Sequence, residues 1–502
     1  MRRRLLNIFN AMALIFAIPI AGLGLSYAVS ERYERVVREG IQQSAYENNQ
    51  EADLSNFIGY REICRQNPPD LSEFCKPASE LQAFELGTKL SIAFGAMLFI
   101  LLFLGRVYAE SNRSRPASVL PPLTKIILLG LLVSILFQCA LFLFGLHIAG
   151  TGFSIAEVRG PSRRYADGFG IVIITALVGG YYLISTALRI MKDAIFSQSG
   201  VLISSANGNR LTRLVNEVAD AVGAKRPDNI VVGLEPSFFV TGAKVSLNGD
   251  ADVLDGTTLY MPLPFLRILS FDELRSVIGH EMGHFKGSEI EYSLKFYPAY
   301  FRLGSAIDSL AEELERKGFF TFPIFTFLVL LHGEFSVVER KIGREREIFA
   351  DQEGARVGSA KGLSNALLKF SEYAQLWEGI RNVNVEFLKK GDIYYDLNDV
   401  YYNVAQAKYS QMDFDARRDD LLSFEMAHPN DTHPTLRERL NALGIGLERL
   451  SKEDLAPSDS AVSILLSDYK AIANELTLGL MTRGFGSASL PEEIYSEEIY
   501  GA

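Results

Sequence analysis

Cysteine, histidine and excess positive charge are all scarce in this chain. Its three cysteines are Cys64, Cys75 and Cys139, so everything beyond residue 139 works without a thiol and needs no disulfide. Cys64 and Cys75 stand close enough in sequence to pair if their segment lies in an oxidising compartment. The formal net charge is −10, which argues against nucleic acid as a partner. No internal repeat and no low-complexity tract is present, which excludes a solenoid or a fibrous array. The histidines number six, and two of them, His280 and His284, stand four residues apart.

Apolar residues, in contrast, are abundant and concentrated toward the front. They make up 48% of the chain, and the mean hydropathy is +0.11 although 22% of residues are charged. Ile126–Ile148 and Phe169–Leu188 carry no formal charge, and each is long enough to cross about 30 Å of hydrocarbon. Leu86–Tyr108 is interrupted only by Lys89 and Arg106, near its ends, where long side chains snorkel to the interface. Leu5–Val29 follows Met1-Arg2-Arg3-Arg4 and reads as a retained helix. A cleaved signal peptide is the alternative, because Ser26-Tyr27-Ala28 offers small residues for a cleavage site. The sequence thus predicts a membrane region over 1–196 with helices at 5–29, 86–108, 126–148 and 169–188 and an exported loop at 30–85.

Basic residues set the expected orientation. Arg2, Arg3 and Arg4 place the N-terminus in the cytoplasm, Arg106, Arg113, Arg115 and Lys125 bracket a cytoplasmic connection, and Arg189 and Lys192 put the remainder there too. Arg159, Arg163 and Arg164 argue the other way, and the Cys64/Cys75 pair decides in favour of an exported first loop. An integral protein of a bacterial inner membrane, with its larger domain in the cytoplasm, is the expectation.

Beyond the membrane region, Leu211 to Val222 repeats apolar residues at helical spacing. Asn229–Leu234 and Phe238–Leu247, separated by Glu235-Pro236-Ser237, read as strands. Thr257–Leu263 reads as a third strand, confined to a sheet edge by Pro262 and Pro264, where it could accept an extended peptide. Gly318–Leu331 is apolar but too short to span and contains Pro323; a re-entrant or amphipathic element and a buried core helix are both open. Residues 446–502 read as a C-terminal extension with an acidic end at Glu492, Glu493, Glu497 and Glu498.

The chemistry centres on His280-Glu281-Met282-Gly283-His284. Ser270-Phe271-Asp272-Glu273 has the form of a capping box, Leu274, Val277 and Ile278 supply an apolar stripe, and Gly287 is a plausible stop. Histidines four apart share one helix face, so both imidazoles can hold one zinc ion while Glu281 polarises a water on it. The plain alternative is a core helix with two satisfied histidines. Catalytic zinc takes three protein ligands and keeps a fourth position open. Arg344–Asp351 offers carboxylates on a second helix, where Glu347 and Asp351 share a face. One could ligate while the other holds a ring N–H, but spacing alone leaves Glu345 and Glu353 open as well.

The pentad, preceded by Leu274 and Val277, is followed by Arg346-Glu347-x-x-Ala350-Asp351 and then by Thr432-His433-Pro434 with Arg439. In this order the three motifs resemble the HtpX and CAAX-endoprotease family of membrane zinc metallopeptidases (peptidase family M48, gluzincins), over about 200–445. The resemblance implies that Glu347 is the third zinc ligand and Asp351 the partner of a ligand histidine. By the resemblance His433 would face the site and stabilise an oxyanion, the plain alternative being a capping or solvent-facing residue, and Glu281 would be the catalytic base. With the spans read above, the expected fold is a multi-span α-helical membrane region followed by an α+β zincin-type metallopeptidase domain at 197–445, mainly helical with a small sheet, the resemblance bearing on the second part alone. One Zn2+ per chain is expected, with membrane-associated or misfolded proteins and peptides as substrates. A zinc-stabilised membrane scaffold or chaperone with little turnover is the rival reading, and an enzyme processing lipids or prenyl-peptides would share the same site. The sequence departs from the family at Gly343, where many relatives have serine. Only Gly318–Leu331 stands where HtpX has two hydrophobic segments, and the four-span front has no counterpart. His147, at the end of the third span, reads as an interfacial residue, and His332 and His428 read as structural.

Overall fold

The computed structural model describes residues 2–47, 59–65, 72–111, 115–154, 181, 184–185, 195–203, 205–249, 253–287, 296–317, 322–390, 392–423, 427–428, 431–432, 434–466 and 468–485. The chain divides into two compact units. The first comprises Met1–Tyr108, Val119–Lys192 and Arg302–Phe335; the second comprises Ala109–Ser118, Asp193–Phe301 and Ser336–Ala502. Residues 302–335 therefore belong with the N-terminal helices, a division that a single break near 196 does not describe.

The first unit is built on α1 (Arg2–Glu47), α3 (Ser72–Ala109) and α4 (Arg115–Ser154), with the short α2 (Tyr60–Arg65) between the first two. Glycines let these helices approach closely, as in membrane bundles. Gly95 abuts Ile15, Gly105 abuts Leu123 and Gly130 abuts Leu98. Gln138 Nε2 donates to the carbonyl of Ile15 at 2.8 Å, satisfying a polar group inside the bundle. Two helical stretches, Phe74–Ala109 and Ser118–Gly150, are long and apolar enough to cross a membrane, with mean hydropathies of 2.2 and 2.8. Only 22% and 33% of their most apolar windows are buried within the protein, so side chains such as Leu104 and Leu129 need an apolar surrounding of another kind. Leu5–Val29 lies within α1, whereas Phe169–Leu188 falls almost wholly outside the described residues.

The segment 30–85 is more helical than a loop. It holds the end of α1, all of α2 and the start of α3, tied by a disulfide between Cys64 and Cys75. Tyr60 anchors it: the ring stacks on Tyr33 at 5.2 Å, the hydroxyl donates to the carbonyl of Phe74 at 2.7 Å, and the backbone N–H donates to Glu34 at 2.8 Å.

In the second unit α5 (Ser205–Val222) buries Leu211, Leu214, Val215, Val218, Ala219 and Val222, one continuous stripe at helical period. Strands β2 (Val201–Leu202), β3 (Asn229–Gly233), β4 (Phe239–Thr241) and β7 (Thr258–Pro262) form a sheet of order β2-β3-β7-β4. Strands β1 (Ile195–Gln198), β5 (Lys244–Leu247) and β6 (Val253–Leu254) form another, of order β1-β5-β6. The expected single strand over 238–247 is thus two strands in different sheets, broken at Gly242 and Ala243.

Thr258–Pro262 is not an edge strand. It is buried throughout and pairs with β3 in parallel and with β4 antiparallel. Pro262 occupies the last register, opposite Gly233, and Pro264 sits in the first turn of the short helix α6 (Leu263–Leu266). Neither proline removes a donor from the middle of the ladder, so they end the strand and start a helix instead of marking an edge. The edge beside β7 is β4.

After α7 (Phe271–Gly283) come α8 (Tyr297–Lys317) and α9 (Phe322–Val357). The described part of the apolar stretch at 318–331 forms the start of α9, a single helix of 36 residues. Pro323 is its second residue, where a missing N–H costs nothing. The remaining helices are α10 (Ala360–Tyr373), α11 (Leu376–Leu388), α12 (Leu397–Gln411), α13 (Phe414–Ser423), α14 (Leu436–Ala442), α15 (Ser460–Leu465) and α16 (Tyr469–Phe485). Leu455, Val462, Leu466, Ala473 and Leu476 enter the same apolar core as Leu211, Ile278 and Leu363, so 446–485 completes this unit rather than trailing from it.

Candidate metal centre

Helix α7 begins at a capping box. The Ser270 hydroxyl accepts from the Glu273 N–H at 3.3 Å, and the Glu273 carboxylate accepts from the Ser270 N–H at 2.7 Å. Glu273 also accepts at 2.7 Å from Lys369 Nζ, which donates to the Ile268 carbonyl at 3.1 Å. Lys369 lies on α10 and is 2% exposed. Burial lowers its pKa, and the Glu273 charge opposes that shift. Leu274 and Ile278 are fully buried on the same helix, each contributing roughly 1.5–3 kcal/mol of transfer free energy. The helix ends at Gly283 with His284 as its C-cap, earlier than the expected stop. Gly287 instead takes a left-handed φ of +58° in the turn that follows.

Helix α9 crosses α7 at very short range because glycines meet there. A Cβ on Gly354 would lie 2.6 Å from the Ser276 carbonyl oxygen and 3.0 Å from the backbone nitrogen of His280. One on Gly283 would lie 3.0 Å from the Ala350 Cα, and Gly279 abuts Val357. This contact sets the carboxylates of α9 against the histidines of α7.

His284 Nε2 is 3.3 Å from Glu347 Oε1, and His280 Nε2 is 3.7 Å from Glu347 Oε2. The two imidazole centroids are 4.9 Å apart with their planes at 90°. One donor atom from each of His280, His284 and Glu347 lies within 4.8 Å of the other two. Zinc held tetrahedrally at about 2.0–2.1 Å places its ligand atoms roughly 3.3–3.4 Å apart. The donor set of two imidazole nitrogens and one carboxylate oxygen, at these separations, fits a zinc ion. Glu281 is 8% exposed between the two histidines.

His280 Nδ1 lies 2.9 Å from Asp351 Oδ1, which leaves its Nε2 lone pair on the Glu347 side once Nδ1–H donates. Asp351 is fully buried and accepts from Arg439 Nε at 2.8 Å and from Arg439 Nη2 at 2.5 Å. Burial alone would raise the Asp351 pKa. The Arg439 charge and hydrogen bonds, with those of His280, more than offset it and hold the carboxyl below the usual range. Burial likewise opposes the charge on Arg439, yet Asp351, Glu347 and Glu281 raise its pKa above the ordinary value.

The other carboxylates on this stretch of α9 face elsewhere. Glu353 accepts from Lys286 Nζ and Arg356 Nη2 at 2.6 Å each, and Glu345 is exposed. His433 lies outside the described residues. His147 faces Glu80 at 3.4 Å, far along the chain from the pentad. Sequence reasoning gave no role to Arg439 or Lys369. For Arg439 a signal existed: on α14, which starts at a Thr435/Glu438 capping box, it shares its buried face with Leu436 and Leu440. A charge on such a face demands a buried partner.

Two histidines one helical turn apart, with a glutamate brought to them by a second helix, offer the donor set that a His2Glu metal site uses. Residues 205–444 match the family model of peptidase family M48, and the likeness is confined to this domain. Among curated proteins it resembles a "Protease HtpX homolog" of Archaeoglobus fulgidus, 25% identical over 237 residues, covering 47% of this chain and 65% of that protein. The protein of the same name from Methanocaldococcus jannaschii is 27% identical over 220 residues, covering 41% and 72%. That from Picrophilus torridus is 27% identical over 222 residues, covering 42% and 64%. The chain thus spans about two thirds of the length of these relatives. No solved structure matches it.

Proposed function

We propose that this chain is a membrane-anchored zinc endopeptidase that hydrolyses peptide bonds of membrane-associated or misfolded proteins. The observation that carries this reading is the convergence of His280, His284 and Glu347, with Glu281 between the histidines. When bound, zinc supplies a Lewis acid that brings the pKa of water toward about 7 and polarises a carbonyl. Glu281 accepts the proton of the attacking water and returns it to the amine that leaves when the C–N bond breaks. Asp351 holds the His280 ring, and Arg439 keeps Asp351 ionised. An extended substrate would pair with the edge strand β4, which lies against α7, in place of Thr257–Leu263. His433 is retained as a donor to the oxyanion.

The placement of the catalytic domain in the cytoplasm rests on the arginines around the spans and on Cys64–Cys75, whose disulfide suits the opposite, oxidising side. The membrane reading is supported by the two exposed apolar helices and by relatives named as HtpX homologues.

The decisive experiment compares purified full-length wild type with Glu281→Gln for peptide hydrolysis and zinc content. The variant should retain stoichiometric zinc and lose about 10²–10⁴-fold in turnover. Near wild-type cleavage by Glu281→Gln would remove the pentad from the mechanism. Sidedness is read separately, by a membrane-impermeant thiol reagent in a Cys139→Ser background. Tyr46→Cys should label in intact cells and Lys225→Cys only after permeabilisation; the reverse pattern would place the site outside the cytoplasm.

A further inference from the structure

The ligand atoms come from α7 and α9, yet a third element reaches the centre. Arg439, on α14, is 3% exposed and grips both oxygens of Asp351, the residue whose Oδ1 meets His280 Nδ1. The same guanidinium has Nη2 3.7 Å from Glu347 Oε2. An arginine fork fixes a carboxylate in plane as well as in position, which a point charge does not. With both Asp351 oxygens held, the carboxylate cannot rotate away from the imidazole, and the imidazole cannot exchange the nitrogen it turns toward Glu347.

We infer that Arg439 is a positioning residue of the metal centre, fixing His280 through Asp351, so that docking of α14 is a condition of zinc affinity. The inference rests on the reading that His280, His284 and Glu347 hold zinc. It adds that the site is assembled from three segments of chain, the last of them 88 residues beyond Asp351. A purely structural role for Arg439, neutralising a buried carboxylate, predicts a different pattern: stability falls while the zinc affinity of the folded protein stays as it was.

The test is zinc binding by the purified full-length chain in detergent, measured by competition with a chelating dye, alongside circular dichroism to score folding. Arg439→Gln should weaken zinc binding about 10–100-fold, the range typical for loss of a group that orients a ligand. Arg439→Lys should fall between that variant and wild type. Asp351→Asn should weaken it comparably, and Asp351→Asn/Arg439→Gln should be no weaker than Asp351→Asn alone, because the arginine acts through the aspartate. If Arg439→Gln does not fold, the double variant, which leaves no unpaired buried charge, still decides by comparison with Asp351→Asn. Wild-type zinc affinity in folded Arg439→Gln, or a double-variant loss equal to the product of the single losses, overturns the inference and leaves the ligand assignment standing. Absence of zinc binding by the wild type removes the ligand assignment and this inference together.

Discussion

Helix α7 meets a buried ion pair near each of its ends, and the pairs do different jobs. At its start, Lys369 meets Glu273, whose carboxylate also closes the capping box on Ser270. Near its end, Arg439 meets Asp351, whose carboxylate turns to the His280 ring. The first pair fixes backbone; the second fixes a side chain. Both place a cation and an anion out of water, an arrangement that is costly to break on one side only. The contrast teaches that burial of charge is not by itself a mark of chemistry: one pair sets where the helix begins, and only the other reaches the residues proposed to hold a metal.

Glu347, beside the second pair, is where the comparison breaks most completely. Glu347→Ala should lose stoichiometric zinc, measured by elemental analysis of the purified protein, whereas Glu345→Ala and Glu353→Ala should keep it. Full zinc in Glu347→Ala would mean that the ligand set is wrong. Lys369→Met should act oppositely. It leaves Glu273 buried beside no cation and should cost about 3–5 kcal/mol in denaturant unfolding, while the zinc affinity of the folded fraction holds near wild type. A loss of affinity matching that of Arg439→Gln would erase the distinction between the two ends. Ser270→Ala is the mildest probe, expected to cost about 1 kcal/mol with no change in metal binding. An effect on zinc would show that the cap reaches further along the helix than its hydrogen bonds do.

The start of α7 was legible from Ser270 and Glu273 because a capping box is local: its partners lie within one turn. The stripe of α5 was legible for the same reason. What lay beyond sequence was pairing across distance. Pro262 looked like an edge marker because nothing local says which register it occupies. Helix α9 could not be followed as one element, since it starts as an apolar run behind a proline and continues as a run of charges. The spacing of Glu345, Glu347 and Glu353 left the third donor open; the contact of α9 with α7 turns Glu347 to the histidines and leaves Glu353 to Lys286 and Arg356. Arg439 stood in the third motif without a role because its partner is remote in the chain, although its apolar neighbours on α14 gave the hint.

The glycine contact between α7 and α9 changes how a collection of inactive variants from this chain should be read. Gly354→Ala adds one methyl group, alters no charge and touches no atom that reacts, yet that methyl would be driven against the carbonyl of Ser276 and the backbone nitrogen of His280. The helices would have to part, and Glu347 and Asp351 travel with the helix that carries Gly354. A screen for lost activity should therefore return small-to-slightly-larger changes at Gly279, Gly283 and Gly354 as often as changes at the histidines. Their phenotypes would be mistaken for loss of a reactive group unless the spacing of the two backbones were considered first.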